Sequence, residues 1–502
     1  MNTTSTTIDC ELCVIGAGIA GLNALHSASR YLKPTDQVVL IDARPGAGGM
    51  WRDTYDYVRL HQPYQMFTVG DIPWVLKKPA TYLADKTEVG EQLTHCMAQL
   101  RQRFQLQEHY CHRYLAHQES SDAEGPVEIQ CKRINDGQRL RVRARRLVKA
   151  ISYDIKPSAA MKFSSSAVRS LSPHDLGANA ATLGADDAPV YVVGGGKTAM
   201  DTAHLLVRRF PGRDIRMLIG EGCLFLDRSR SSATGWRRWF GGQVAFETFL
   251  DTALRFDGGN IQATYQHFLS HHGLALNERA RQFQFGAISP EEIAAIRSSA
   301  REVIEDYLVD VTDGDDGPLL QLRQGQARPI PAGSWLINCT GYIARDVGLA
   351  PEPYISEGGK VLSINQTSMV FFLGSFSGYF LTHLFYRDRL RDLPLYQGDV
   401  TALRGPNKSA LGVIGATQTV LNVLLCMQAL PVSVFNECRL DFNRWYPLPR
   451  RLPILLRFQI NSAKYLKHCR AALDRIEATT GVRWGVLPHV QAAATNMMDK
   501  AA

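Results

Sequence analysis

The chain has 502 residues, 45% of them hydrophobic and 21% charged, which suits two or three packed domains and excludes a disordered chain. No run reaches the roughly 18 uninterrupted apolar residues of a membrane span, and residues 1–9 lack the basic start and apolar core of an export signal, so a cytoplasmic protein is expected. A formal net charge of +8 suits acidic small molecules such as nucleotide phosphates and gives no reason of its own to expect nucleic acid.

From the N-terminus, Glu11 to Ile15 is a short apolar run that fits a buried parallel strand, and Gly16, Gly18 and Gly21 follow it at GxGxxG spacing. Gly16 permits a tight turn, Gly18 lets backbone approach a pyrophosphate, and Gly21 lets the helix from Ile19 to about Tyr31 pack close to the sheet. Val38 to Ile41 reads as the second strand. Asp42 stands at its tip, placed to accept hydrogen bonds from a ribose diol and to disfavour a 2'-phosphate. Cys10 and Cys13 form CxxC on the first strand, where burial as small apolar residues is the expected role. The longest apolar stretch, Val420 to Phe435, is broken by Asn422, Gln428 and Pro431.

After Asp42 come the glycine-rich Gly48-Gly49-Met50-Trp51 and the segment Arg59-Leu60-His61-Gln62-Pro63-Tyr64. Together with GAGIAG and Asp42, these resemble the flavin-containing monooxygenases, and VRLHQP looks closest to members that oxidise amino groups to hydroxylamine or nitro products. The resemblance implies FAD on the first nucleotide fold, contacted by Gly16, Gly18, Gly21, Asp42, Gly49 and Trp51. It also implies reduction by NADPH and a C4a-(hydro)peroxyflavin that gives one oxygen atom of O2 to a small-molecule substrate. Relatives carry an Asn about ten residues before a DFP-like triplet. Here Asp71-Ile72-Pro73 is the triplet, and His61 or Gln62 takes the Asn position: Gln62 as an amide donor, His61 as a proton donor.

Residues 85–118 show helical spacing followed by a strand, and 126–150 alternate as strands around Asn135-Asp136-Gly137, which predicts a small β-layer on the FAD domain. Leu147 to Asp154 is placed like the strand at which related flavoproteins cross to their second domain. Phe163, Ser165, Arg169 and Pro173 only partly follow the Baeyer-Villiger signature, lacking its Gly and His.

The second unit, Ala188 to Leu206, supplies a strand over Val190–Val193, then Gly194, Gly196 and Ala199 at GxGxxA spacing, then a helix from Thr198 to Arg208. Gly196-Lys197-Thr198 is not a P-loop, because Tyr191 occupies the place of its first glycine. Gly194, Gly196, Lys197, Thr198 and Ala199 are therefore expected around NADPH. Glu221 lies just past the next strand, and Arg228 and Arg230 are expected to pair with the 2'-phosphate.

Thr234 to about Asp313 reads as a helical insertion, a substrate lid or an oligomer contact, with a capping box at Ser289-Pro290-Glu291-Glu292 opening a helix to about Leu308. His267, His271 and His272 lack a carboxylate or thiol nearby in sequence, so no metal site is expected. Trp335 to Tyr342 resembles the strand that returns to the FAD domain. Thr367 to Ser375 resembles the last FAD strand, with Ser375 by the ribityl chain. Gly412 to Leu430 would aim its N-terminus at the flavin.

From Arg444 to Arg470 the tail holds seven Lys or Arg and no acid. It is expected to pack on the body or to touch an anionic membrane, with Pro447, Pro449 and Pro453 breaking any helix before Ile454.

The expected fold is α/β, with two Rossmann-like dinucleotide-binding domains. FAD belongs to 1–155 and 332–435. NADPH belongs to 156–331, with the insertion at 232–312, and a basic tail covers 436–502. The expected function is N-oxygenation. The alternatives are Baeyer-Villiger or S-oxygenation, a membrane-associated quinone dehydrogenase, and a nucleotide-binding sensor.

Overall fold

The computed structural model describes residues 6–151, 155, 157–341, 351–365, 367–371, 373–404, 408–439 and 442–493. The first sheet has seven strands, six of them β1 (Thr6–Ile15), β2 (Gln37–Ile41), β3 (Gln105–His109), β4 (His112–Glu119), β5 (Val127–Arg133) and β6 (Arg139–Lys149), in the order β3-β2-β1-β6-β5-β4. Leu12–Ile15 of β1 and Val38–Ile41 of β2 are buried throughout, as parallel strands covered on both faces must be.

β6 serves two layers. Its first part alternates exposed and buried against antiparallel β5, whereas Leu147, Val148 and Lys149 are all buried. There β6 runs parallel to the seventh strand, Val361–Ser363. The expected β-layer and its Gly137 turn, at φ 74°, are thus present.

The second sheet is wholly parallel. It contains β7 (Arg169–Leu171), β8 (Val190–Val193), β9 (Ile215–Leu218), β10 (Ala300–Ile304) and β11 (Trp335–Asn338), in the order β10-β9-β8-β11-β7. Because Trp335–Asn338 lie in this sheet, the chain returns to the first sheet beyond Gly341 and not at 332. Residues 152–154 of the expected outward crossing lie outside the described residues.

Other expectations also need correction. The 232–312 insertion is mixed, not helical: its strands Gly273–Ala275 and Gln282–Ile288 flank Cys223–Asp227 in a small sheet. The capping box is present, but its helix ends at Ser299, where Ala300, β-branched Val303 and Ile304 enter β10 beside β9. Ser368–Met369 pairs antiparallel with Tyr396–Asp399, and among the described residues nothing of 367–375 joins the first sheet.

The tail is folded. Trp484–Val486 pairs antiparallel with the Tyr396–Asp399 strand, and Cys469, Ala472, Leu473 and Ile476 are buried. A helix runs Leu448–Ile460 despite its prolines, because Pro449 lies in the first turn, where its missing N–H costs nothing, and Pro453 forfeits a single interior bond.

Among the described residues one helix, Ala410–Ala429, is long and apolar enough to cross a membrane, with an 18-residue window of mean hydropathy 1.7, but 89% of that window is buried as a core element. The Gln418 and Asn422 side chains within it donate to the main-chain oxygens of Met369, Val370 and Tyr396, which fixes the surrounding loops.

Candidate functional site

Helix α1 (Ile19–Ala28) follows β1 directly and starts at Gly18 with no side-chain cap and no acid in its first turn, so its free N–H groups are left for an anion. Gly16 holds φ 105° and abuts the Ala150 carbonyl, and a Cβ on Gly21 would stand 1.8 Å from the Gly16 carbonyl oxygen. Both positions require glycine.

A second glycine loop closes on the first. Gly48 N–H donates to the Ala17 carbonyl at 2.9 Å, and Gly49 sits at φ 54° against Gly18. Asp42 accepts from the Ala17 N–H at 2.6 Å and the Arg44 N–H at 2.7 Å, which orients its carboxylate at the tip of β2. Burial pushes the Asp42 carboxyl up, against the pull of these two N–H groups. This cradle of glycine backbone, free helix N–H groups and a fixed acid fits the diphosphate and ribose of FAD.

The His61–Gln62 loop is fastened to α1. Asn23 donates to the Thr68 carbonyl and accepts from the Gly70 N–H, while His26 Nε2 lies 2.7 Å from Asp71 Oδ1. That contact, reinforced by Arg30 and Arg103, holds the Asp71 carboxyl down at about 2. The DFP-like triplet is thus a clasp on α1. Trp51 is half-buried, edge-on to Phe67 of the same loop.

On its other side the loop meets the second unit: Arg228 Nη1 donates to the His61 carbonyl at 3.2 Å. Burial, then Lys197 and Arg228, drive the His61 imidazole down to about 3. It is neutral at physiological pH, so its only acidic group is a neutral N–H, not an imidazolium. Gln62 is half-buried beside it.

Two tyrosines of the same segment reach across. Tyr55 donates to Asp201 Oδ2 at 2.8 Å, and the Tyr57 hydroxyl lies 2.7 Å from Thr202 Oγ1. Both partners stand on helix α2 (Lys197–Arg209), where Asp201 also pairs with Lys197 one turn away. Sequence reading missed this contact. The aromatic spacing of Tyr55 and Tyr57 was its one available signal.

The second unit repeats the first. Gly194, at φ 131°, abuts the Cys339 carbonyl, Gly196 starts α2 with no side-chain cap, and Ala199 is fully buried at the place of the third glycine. Thr198 lies in the first turn, its carbonyl accepting from Thr202. These groups fit a second dinucleotide.

Arg228 and Arg230 do not stand at the tip of β9. The strand Cys223–Asp227 carries them to the junction of the two units, where Arg228 pairs with Glu292 and Arg230 with Asp227 and the His271 carbonyl. Although burial pushes the Glu292 carboxyl up, Arg228 and Lys197 hold it below its ordinary range. The tip of β9 is Glu221, held down by Lys408 at 2.9 Å and approached by Arg281 at 4.0 Å. It lines a cavity of about 900 Å³ together with Arg279, Arg281 and Arg297.

Ser375 lies in the turn Gly374–Phe376, three residues before Gly378, where a Cβ would stand 2.1 Å from the Ala20 carbonyl. This helical stretch, and not Ala410–Ala429, approaches the start of α1. The first turn of Ala410–Ala429 instead packs on Phe283. His383 is buried against Tyr31, 2.8 Å from its hydroxyl.

The histidine group also differs from expectation. Asp251 supplies the carboxylate missing from the local sequence, 2.7 Å from His267 Nε2 and 3.0 Å from His272 Nε2. Arg255 occupies the other oxygen of Asp251.

No protein-family profile and no curated protein sequence matches this chain. Among solved structures, it is similar to the ornithine N-hydroxylase of Kutzneria sp. 744, at 11% identity over 76% of this chain and 97% of that one, with a TM-score of 0.46. It is similar to the open form of cyclohexanone monooxygenase at 13% identity, over 76% and 87% of the two chains, with a TM-score of 0.48. A third is the cadaverine monooxygenase of desferrioxamine biosynthesis from Erwinia amylovora, at 12% identity over 83% and 95%, with a TM-score of 0.46.

Proposed function

We propose that the chain is an FAD-dependent, NADPH-consuming monooxygenase that places one oxygen atom of O2 on a small molecule, at nitrogen. The observation that supports this most is the double attachment of the His61–Gln62 loop, clasped to α1 by Asn23 and His26 and touched by Arg228 of the second unit. A group resting on this loop lies between two dinucleotide cradles, where hydride transfer must occur.

FAD, when bound, supplies the relay of two electrons from NADPH and the transfer of oxygen. The protein's part is to bind and orient. The α1 N–H groups and the Gly18–Gly49 contact hold the flavin diphosphate, and Asp42 holds its ribose. The start of α2 holds the diphosphate of NADPH. Gln62 offers an amide donor, and the neutral His61 offers one ring N–H, toward negative charge that develops above the loop. Trp51 and Phe67 exclude water from one side. Nitrogen as the acceptor rests on the resemblance of the VRLHQP segment.

The test is NADPH consumption by the FAD-loaded enzyme under air, with amines, thioethers and ketones offered in turn. A hydroxylamine or nitro product formed in step with NADPH supports the reading, and a sulfoxide or ester moves the acceptor. A quinone dehydrogenase is the second reading, favoured by the exposed apolar and basic surface described next. Electron delivery to quinones without oxygenated product would replace the first reading with it.

A further inference from the structure

The helix Leu448–Ile460 presents an unusual outer face. Leu448, Leu452, Leu455, Leu456 and Ile460 recur at helical spacing and are all exposed, Ile460 at 79%, while Phe458 on the inner face is buried against Phe246. A globular helix normally shows the reverse.

A second apolar group adjoins it. Trp236, Trp239 and Phe240 are exposed at 70%, 54% and 86%, on the short helix next to the first turn of Leu448–Ile460. Arg450 makes the junction by donating to the carbonyls of Arg237, Arg238, Gly241 and Gly242. Two independent chain segments thus meet with their large apolar side chains uncovered. Residues 444–470 carry seven Lys or Arg and no acid, and the Trp236–Phe240 segment adds Arg237 and Arg238.

We infer that this surface docks the protein on an anionic phospholipid bilayer. The helix spans 13 residues, too short to cross a hydrocarbon core that needs about 20, so it would lie in the interface plane with its leucines among the upper acyl chains. Tryptophan is the side chain best suited to the headgroup boundary, and the basic residues find lipid phosphate there. A second copy of the chain is a poorer occupant, since a two-fold contact lays each basic set against its own image. The surface borders a cavity of about 470 Å³ lined by Arg238, Arg444, Trp445, Tyr64 and Met66. Docking brings the mouth of that cavity to the headgroups.

The test is co-sedimentation of the full-length, FAD-loaded protein with vesicles of phosphatidylcholine alone or with about one third phosphatidylglycerol. Binding is expected to the anionic vesicles only and to weaken with salt. Trp236→Ala/Phe240→Ala is expected to lower partitioning about tenfold or more. Arg237→Ala/Arg457→Ala should lower it about 25-fold, at roughly fivefold per charge. Circular dichroism and NADPH oxidation in solution should be unchanged in both variants, because all four side chains are exposed. Absence of binding, or equal binding to neutral vesicles, overturns the inference. So does a dimer in sedimentation equilibrium that the Trp236/Phe240 variant dissociates, since the surface would then be covered by a second copy.

Discussion

Gly18 and Gly49 meet backbone to backbone: a Cβ on Gly49 would stand 2.7 Å from the Gly18 Cα, at a φ of 54° that L side chains rarely adopt. The reverse substitution is milder, since a Cβ on Gly18 would lie 3.4 Å from the Gly49 Cα. Gly49→Ala is therefore expected to lower thermal stability by about 1–3 kcal/mol as well as flavin content. Gly18→Ala should keep its stability and lose flavin, because the added methyl occupies the diphosphate side of the turn. The ratio of flavin to protein absorbance, read beside a melting curve, separates the two. A fully flavinated Gly18→Ala protein would remove the first cradle from the argument.

Arg228 is committed to Glu292 and the His61 carbonyl, and Arg230 to Asp227 and His271, so neither is free at the tip of β9. The arginines that do line the cavity there are Arg279, Arg281, Arg297 and Arg328, of which Arg281 approaches Glu221 at 4.0 Å. Arg281→Ala is expected to lower kcat/KM for NADPH about tenfold or more and leave NADH nearly unchanged, the effect of one charged hydrogen bond of about 1.5–3 kcal/mol. Arg230→Ala should leave the ratio of the two coenzymes as it is. The opposite pattern would return the 2'-phosphate to the DRSR segment.

Both cradles were legible because their signals are local: an apolar strand, glycines at fixed spacing and an uncapped helix all lie within some thirty residues, and the physics that demands them acts over the same distance. What escaped depends on long-range pairing. Asp251 completes the histidine group from 16 residues before His267, and Tyr55 finds Asp201 from 146 residues away. The destination of Arg228 follows from the small sheet in which Cys223–Asp227 pairs with Gly273–Ala275 and Gln282–Ile288, two strands that read as part of a helical insertion. Ala300–Ile304 was lost in the same way: Ala-Arg-Glu-Val-Ile is too short and too charged for periodicity to tell it from the end of a helix. The Leu448–Ile460 helix was misjudged because proline near a helix start is tolerated.

Stability should fall in mild acid, and His383 is one cause. The ring is 2% exposed, and burial, then His26, Arg30 and Arg387, bring it down to about 3. Between that value and the ordinary 6.5 the unfolded chain binds the extra proton, so stability rises with pH across this window and is lost as pH falls below about 6.5. By pH 5 the loss from this residue is about 2 kcal/mol. Urea midpoints at pH 7 and pH 5 should differ more for wild type than for His383→Gln. Equal differences would show that His383 titrates normally in the folded chain.

The last prediction concerns Gln62 and His61. The loop that carries them is clasped to α1 by groups remote from either side chain, so truncating Gln62 leaves Asn23, His26 and Asp71 in place. Gln62→Ala is accordingly expected to bind FAD and to be reduced by NADPH at close to the wild-type rate. What it loses is a donor toward charge that appears only after oxygen has reacted, about 1.5–3 kcal/mol for a hydrogen bond to a charged group. That corresponds to a tenfold or greater rise in hydrogen peroxide released per NADPH at the expense of oxygenated product. His61→Ala should act in the same direction and more weakly. With its imidazole at about 3, His61 stays neutral from pH 5 to 8, so its contribution to coupling should be flat across that range. A coupling efficiency that follows a titration near 6.5 and vanishes in His61→Ala would instead assign His61 the role of an imidazolium acid. Full coupling in both variants would make the loop a support alone and turn attention to Ser375, which stands beside the start of α1.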